Sequence, residues 1–322
     1  MMLLFARTAL LTSLFYCFSI SLTFFNNSCI KIFPYPLSIT FLHMCFKFIF
    51  AWVARAVSAY CSGISRIELS WSKYFKMVAV AGASSAWDIG FSNWSFEYIT
   101  ISLYTMTKST SIIFILFFSL ILRLERKKIS LIFVVLLISC GLFMFSYESA
   151  QFNLVGFLLV LFASFLSGIR WTTAQLLAQK KEWGLSHPID LIYHAQPWMA
   201  LAILPMSLYI EGAELVSSKV LFRASNYVQL SRDILYLSIG GLLAFGLECS
   251  EYLVVCTASS LALSIAGIFK EICTLYLAAK FNGDVISPIN MIGFIICISG
   301  ILLHVFMKTV HYGVRIRSNS GA

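Results

Sequence analysis

The chain has 322 residues, 60% of them hydrophobic and only 11% charged, with a mean hydropathy of +0.88; a soluble domain of this size needs far more charge on its surface. Its net charge of +9 does not point to nucleic acid, because no basic cluster with interleaved aromatics accompanies it. The nine cysteines are scattered singly, without CxxC or Cys/His ligand spacing, which argues against a disulfide framework and a metal site.

Apolar runs of about 18 or more residues recur along the whole chain, as in a polytopic membrane protein. Ten spanning helices are expected. The first, 4–25, has too long an apolar part for a signal peptide and no small-residue cleavage site. "NNSCIKIFPYP" follows it, with a glycosylation sequon at Asn26 too close to the membrane to be used. The second, third and fourth spans are placed at 37–57, 76–98 and 100–122, and the fifth, 129–147, comes after "RLERKK". The sixth is 152–178, and "QKKEWGLSHP" leads into the seventh, 189–210. The eighth and ninth, 233–256 and 259–280, are separated by a short turn, and "KFNGDVISP" precedes the tenth, 287–308.

Loop charge sets the direction. One side receives Arg66, Lys73, Lys76, Arg123, Arg126, Lys127, Lys128, Lys180, Lys181, Arg315 and Arg317. The other receives Lys31, Lys219, Arg223 and Arg232, partly offset by Glu211, Glu214 and Asp233. The positive-inside rule then puts both termini in the cytosol.

Two junctions resemble each other: "LERKKISLIFVVLLISCGLFMF" and "NGDVISPINMIGFIICISGILLHV". Each has an acid (Glu125, Asp284), then Ile-Ser (Ile129-Ser130, Ile286-Ser287), then a glycine (Gly141, Gly300) 16 residues after the acid. They are the fourth-to-fifth and ninth-to-tenth junctions, so the repeat unit is five helices. An odd number inverts the second copy, as in many transporters. The expected fold is all-α: ten transmembrane helices in two inverted repeats, 1–150 and 151–322, the second with a short cytosolic tail.

"YTMTKSTSIIFILFFSLIL" holds one charge, Lys108, in the fourth span, and "LALSIAGIFKEICTLYLAAK" holds Lys270 near the middle of the ninth. Lys270 has about eleven residues, roughly 16 Å, of helix on either side, too far for easy snorkelling. A mid-bilayer ammonium costs about 3 kcal/mol and needs an anion or water. Placed equivalently in the two repeats, the lysines should meet across a central cavity, where a phosphate would relieve their repulsion. The alternative is internal neutralisation by Glu271, Asp88 or Glu251, or by Glu97 or Glu248. Glu271 projects about 100° from Lys270 and is not its ideal partner. Arg170 either binds phosphate or caps Asp88, with the cap favoured. Tyr193, His194 and Gln196 could meet a nucleobase, or serve as interhelical glue; Asn93 and Tyr98 share that ambiguity. Tyr104 and Ser264, on the helices of the two lysines, complete the candidate set. No HExxH, GxSxG or paired aspartates suggests an enzyme, and no cofactor is implied.

With "SLYTMTKST", "GIRWTTAQ", "SIAGIFKE" and the paired hairpins in view, the chain resembles the drug/metabolite transporter superfamily over roughly residues 10 to 310. Within it, the chain is similar to the branch shared by nucleotide-sugar transporters and triose-phosphate translocators. "DIGFSNWSFEYITISLYTMTKS" and "SLALSIAGIFKEICTLYLAA" resemble most the GDP-fucose-transporter-like group, the C subfamily of solute carrier family 35. The resemblance implies a Golgi or ER–Golgi intermediate membrane and antiport of a nucleotide sugar, here GDP-fucose, against a nucleoside monophosphate, GMP. It implies that Lys108 and Lys270 meet phosphate. Glu271 departs from the triose-phosphate pattern, which has arginine there, and this argues against a small phosphate ester. "YHAQP" lacks the paired asparagines that read guanine in GDP-mannose transporters. Exchange of a small phosphorylated metabolite, or a non-transporting regulator of Golgi fucosylation, are the alternatives. The expected partners are these nucleotides and the lipid bilayer; a homodimer is left open.

Overall fold

The computed structural model describes residues 2–62, 75, 78–122, 130–147, 152–179, 185, 187–217, 227–257, 260–282 and 287–303. Among them there is helix and no strand. In chain order the helices are α1 (Met2–Ile32), α2 (Pro36–Ser62), α3 (Ala79–Ser95), α4 (Ile101–Ser109), α5 (Ser111–Ile121) and α6 (Ser130–Tyr147). There follow α7 (Leu154–Gln179), α8 (Pro188–Ile210), the short α9 (Gly212–Ser217), α10 (Tyr227–Thr257) and α11 (Ser260–Leu277), which runs on into a π turn at Ala278–Asn282. The last is α12, Pro288–Leu303. The loop charges Arg66, Lys73, Lys76, Arg123, Arg126, Lys127, Lys128, Lys180, Lys181, Lys219, Arg223, Arg315 and Arg317 lie outside the described residues, as do Glu125 and Asp284.

Helix starts follow local chemistry. Pro36 opens α2 and Pro188 opens α8, where a missing N–H costs nothing. His187 accepts from the Ile189 amide and Asp190 sits in the first turn of α8, favourable at the positive end of the helix dipole. Thr100 caps α4 by accepting from Leu103 N at 3.3 Å. The expected fourth span is two helices meeting at Thr110. There the Thr107, Ser109 and Thr110 hydroxyls all donate to carbonyls three or four residues back, competing with the helix ladder. The first helix runs past the expected end at 25 to Ile32, because Asn26 and Asn27 are buried in the bundle rather than exposed at a turn.

Among the described residues, four helical stretches are long and apolar enough to cross a membrane: Pro36–Cys61, Ile101–Ile121, Leu154–Leu177 and Leu230–Val254. Phe133–Met144 and Pro288–Leu303 are apolar but shorter. α3 and α8 carry their polar residues inward, with Asp88, Asn93, Asp190 and Gln196 all buried.

Helices of the first half pack on those of the second. α3 lies against α7 and α8, α2 against α8 and α10, α1 against α10, and α5 against α7. Leu103, Ile138, Leu275 and Ile301 form one core where α4, α6, α11 and α12 meet. Gly141 and Gly300, the matched glycines of the two similar sequence junctions, sit where α6 meets α12. A Cβ on Gly141 would lie 2.5 Å from Cys297 N, and one on Gly300 would lie 3.0 Å from Ile138 Cγ1.

Candidate functional site

At the centre of the bundle the described residues enclose a cavity of about 300 Å³. Four cations line it, Lys47 from α2, Lys108 from α4, Arg170 from α7 and Lys270 from α11. Four carboxylates face them: Asp88 from α3, Glu248 and Glu251 from α10, and Glu271 from α11. Away from bulk water such charges persist only in pairs or beside a ligand.

Most are paired. Lys47 Nζ donates to Glu248 Oε2 at 2.8 Å, and Gln196 Nε2 donates to the same oxygen at 2.9 Å. Lys108 Nζ pairs with Asp88 Oδ1 and donates to Ser92 Oγ at 2.9 Å. Arg170 spans two helices, with Nη1 3.5 Å from Asp88 Oδ2 and Nη2 3.5 Å from Glu251 Oε2. Lys108 therefore sits in a network running Lys108–Asp88–Arg170–Glu251, drawn from both halves of the chain.

Lys270 differs. Its ammonium lies 6.0 Å from the Phe15 ring centroid and makes no ion pair among the described residues. It is close enough to Lys108 for the two to repel. A cation in this state attracts an anion, and phosphate is the natural one. A neutral stretch of wall adjoins the charged part: Asn26 Nδ2 donates to Asn93 Oδ1 at 3.1 Å, and Asn93 Nδ2 to Thr40 Oγ1 at 2.8 Å. The Asn26 side chain is therefore committed to the interior, away from any glycosylating enzyme.

Of the candidates named from sequence, Lys108, Lys270, Arg170, Tyr104, Asp88, Glu251 and Glu271 come together on the cavity wall. Tyr104 lies against Phe96, ring centroids 4.5 Å apart. Gln196 is buried behind the wall, holding Glu248. Tyr193 and His194 are elsewhere. Tyr193 stacks on Phe48 at 5.2 Å with the Arg55 guanidinium 4.1 Å above its ring, and Arg55 pairs with Asp190 at 3.0 Å. His194 is buried edge-on to Tyr193. The Ser264 backbone is in α11, and its side chain lies outside the described residues. Lys47 escaped the sequence reading, although it lies near the middle of the expected second span and meets the criterion that singled out Lys270. Among the described residues no cluster of His, Cys, Asp or Glu could hold a metal ion.

A model of the Triose-phosphate Transporter family matches residues 6–305. An Arabidopsis thaliana protein named "Probable sugar phosphate/phosphate translocator" is 29% identical over 309 residues, 94% of this chain and 73% of that protein. A second Arabidopsis protein of the same description is 24% identical over 272 residues, covering 84% of this chain and 77% of its own length. A Saccharomyces cerevisiae protein named "Putative nucleotide-sugar transporter YMD8" is 25% identical over 302 residues, 74% of this chain and 68% of its own length.

Proposed function

The chain belongs to the Triose-phosphate Transporter family and is a membrane transporter rather than an enzyme, and from that premise we propose that it is a nucleotide-sugar antiporter of the secretory pathway. The specific reading is GDP-fucose exchanged for GMP across a Golgi or ER–Golgi intermediate membrane. The observation that carries it is Lys270, an ammonium in a central cavity of about 300 Å³ with no ion-pair partner among the described residues. Lys108 and Arg170, held ready by Asp88, are second and third cations for a diphosphate. The neutral wall of Asn26, Thr40 and Asn93 offers hydrogen bonds to a sugar or base. Glu271, in place of a cation, favours a large nucleotide sugar over a small phosphate ester.

Alternating access follows if the ten helices form two inverted five-helix repeats that rock about the cavity. The α6–α12 contact supports that reading. Gly141 meets Cys297 and Gly300 meets Ile138; both repeat pairs, 141/300 and 138/297, are 159 residues apart. Such reciprocal contacts are the mark of a two-fold relation. Both termini then lie in the cytosol.

Counterflow in proteoliposomes loaded with GMP tests the proposal. GDP-fucose is expected to enter in preference to other nucleotide sugars, and no exchange of any member by folded protein would overturn it. A second reading, exchange of a small sugar phosphate for phosphate, is favoured by the name of the Arabidopsis relatives. Uptake of triose phosphate competed by inorganic phosphate would establish that reading instead.

A further inference from the structure

Taken at their ordinary charges, the described residues of the cavity wall balance, with four cations and four carboxylates. Lys47 is engaged by Glu248, Lys108 by Asp88, and Arg170 by Asp88 and Glu251. Outside these pairs stand Lys270 and Glu271, neighbours on α11 whose side chains project about 100° apart. A phosphate drawn to Lys270 is therefore set beside a carboxylate. A phosphate monoester carries about two negative charges at neutral pH, so the site passes from balance to an excess of about two negative charges. At bilayer depth, with little water to screen it, that excess is strongly unfavourable.

We propose that Glu271 takes up one proton from the aqueous phase when an anionic phosphate binds beside Lys270, so that the phosphate and the proton occupy the site, and cross, together. The proton adds to a carboxylate oxygen and removes one of the two excess charges. This deepens the antiporter reading and rests on it. Exchange of one phosphate substrate for another leaves the proton in place, whereas emptying the site releases it.

The surroundings single out Glu271. Lys270 on its own helix and the Cys297 thiol of α12 interact with it; the same cavity is lined by Lys108 and Tyr104 from α4, Glu248 and Glu251 from α10, Asp88 from α3, Arg170 from α7, and His43 and Lys47 from α2. The α1 residues on the cavity wall, Phe15, Ser19, Leu22, Thr23 and Asn26, bring no charge. Asp88, Glu248 and Glu251 each have a cation within 3.5 Å; Glu271 makes no such pair among the described residues, so it holds a proton at the least cost.

Calorimetric titration of the purified full chain with GMP and with inorganic phosphate, in buffers of different ionisation heat, counts the protons bound. Wild type is expected to take up about one proton per GMP, its affinity falling about tenfold per pH unit where the free carboxyl is ionised. At about pH 8, where the phosphate of GMP is already the dianion and takes up no proton itself, Glu271→Gln should bind with near-zero uptake and pH-independent affinity; Glu271→Ala, which removes the same proton site, replaces it if the first variant does not fold. Binding by wild type without uptake, uptake undiminished in the variant, or a folded Gln variant that no longer binds would each overturn the inference alone. Failure of wild type to bind either probe overturns the antiporter reading, and this inference with it.

Discussion

Lys270 and Lys108 bear the same charge on facing helices, yet among the described residues one has no ion pair and the other is tied to Asp88. Their substitutions should therefore differ in kind. Lys270→Ala removes an ammonium that holds no ion-pair partner among the described residues, so the melting temperature in detergent should be nearly unchanged while exchange falls roughly 100-fold, the scale of losing one buried charge contact. Arg170→Leu should do the reverse of sparing the fold. It leaves Glu251 without its cation and Asp88 with Lys108 alone, and stranding a buried charge costs about 3–5 kcal/mol. A clear drop in thermal midpoint is expected, and an unshifted midpoint would mean that Arg170 does not neutralise these acids. Intramembrane charge was legible at this scale because each such residue interrupts an apolar run. Lys47 is as conspicuous as Lys270 by the same rule, but its acid, Glu248, is 201 residues away, and no local pattern joins them.

Between elements, two contacts matter most. α6 and α12 approach closely enough at Gly141 that an added Cβ would lie 2.5 Å from both Cys297 N and Gly293 O. These are backbone atoms that no rotamer change moves aside. Gly141→Ala should cost about 1–3 kcal/mol through forced separation of the helices, read as lowered thermal stability. Gly267→Ala is its control, since among the described residues nothing lies within 4 Å of a Cβ there. The second contact is at the start of α2. Glu211, just past the end of α8, accepts from the Leu37 and Ser38 amides at 2.7 Å each and so caps α2 from another helix. Glu211→Ala should cost about 1 kcal/mol, with Glu211→Gln retaining most of it through its amide oxygen. The sequence pattern placed helix in every expected span but misjudged where the chain continues: Asn26 and Asn27 read as a turn and are buried helix. Polarity signals a boundary only when the residue meets water, and here the bundle supplies the partners.

For the molecule as a whole, α2 and α8 are pinned at both ends. Ser38 and Ser207 hydroxyls lie 2.8 Å apart near Glu211 at one end, and Arg55 pairs with Asp190 at the other. If the halves rock, these ends must part in turn. Ser38→Cys combined with Ser207→Cys should form a disulfide on oxidation and stop exchange, with recovery on reduction and no such effect in wild type. Exchange that persists in the cross-linked protein would show that α2 and α8 do not separate there.

Composition and apolar run length alone pointed to a helical membrane protein with ionisable groups set inside apolar runs, because transfer from water to lipid acts on each segment separately and leaves its record in local sequence. Which charge neutralises which was decided only in three dimensions. A helix that is apolar almost all round gives little indication of which face turns inward, so the gathering of Asp88, Arg170 and Glu251, the placing of Lys270 on the cavity wall and the turning of Tyr193 toward Phe48 and Arg55 depend on close packing between helices far apart in the chain.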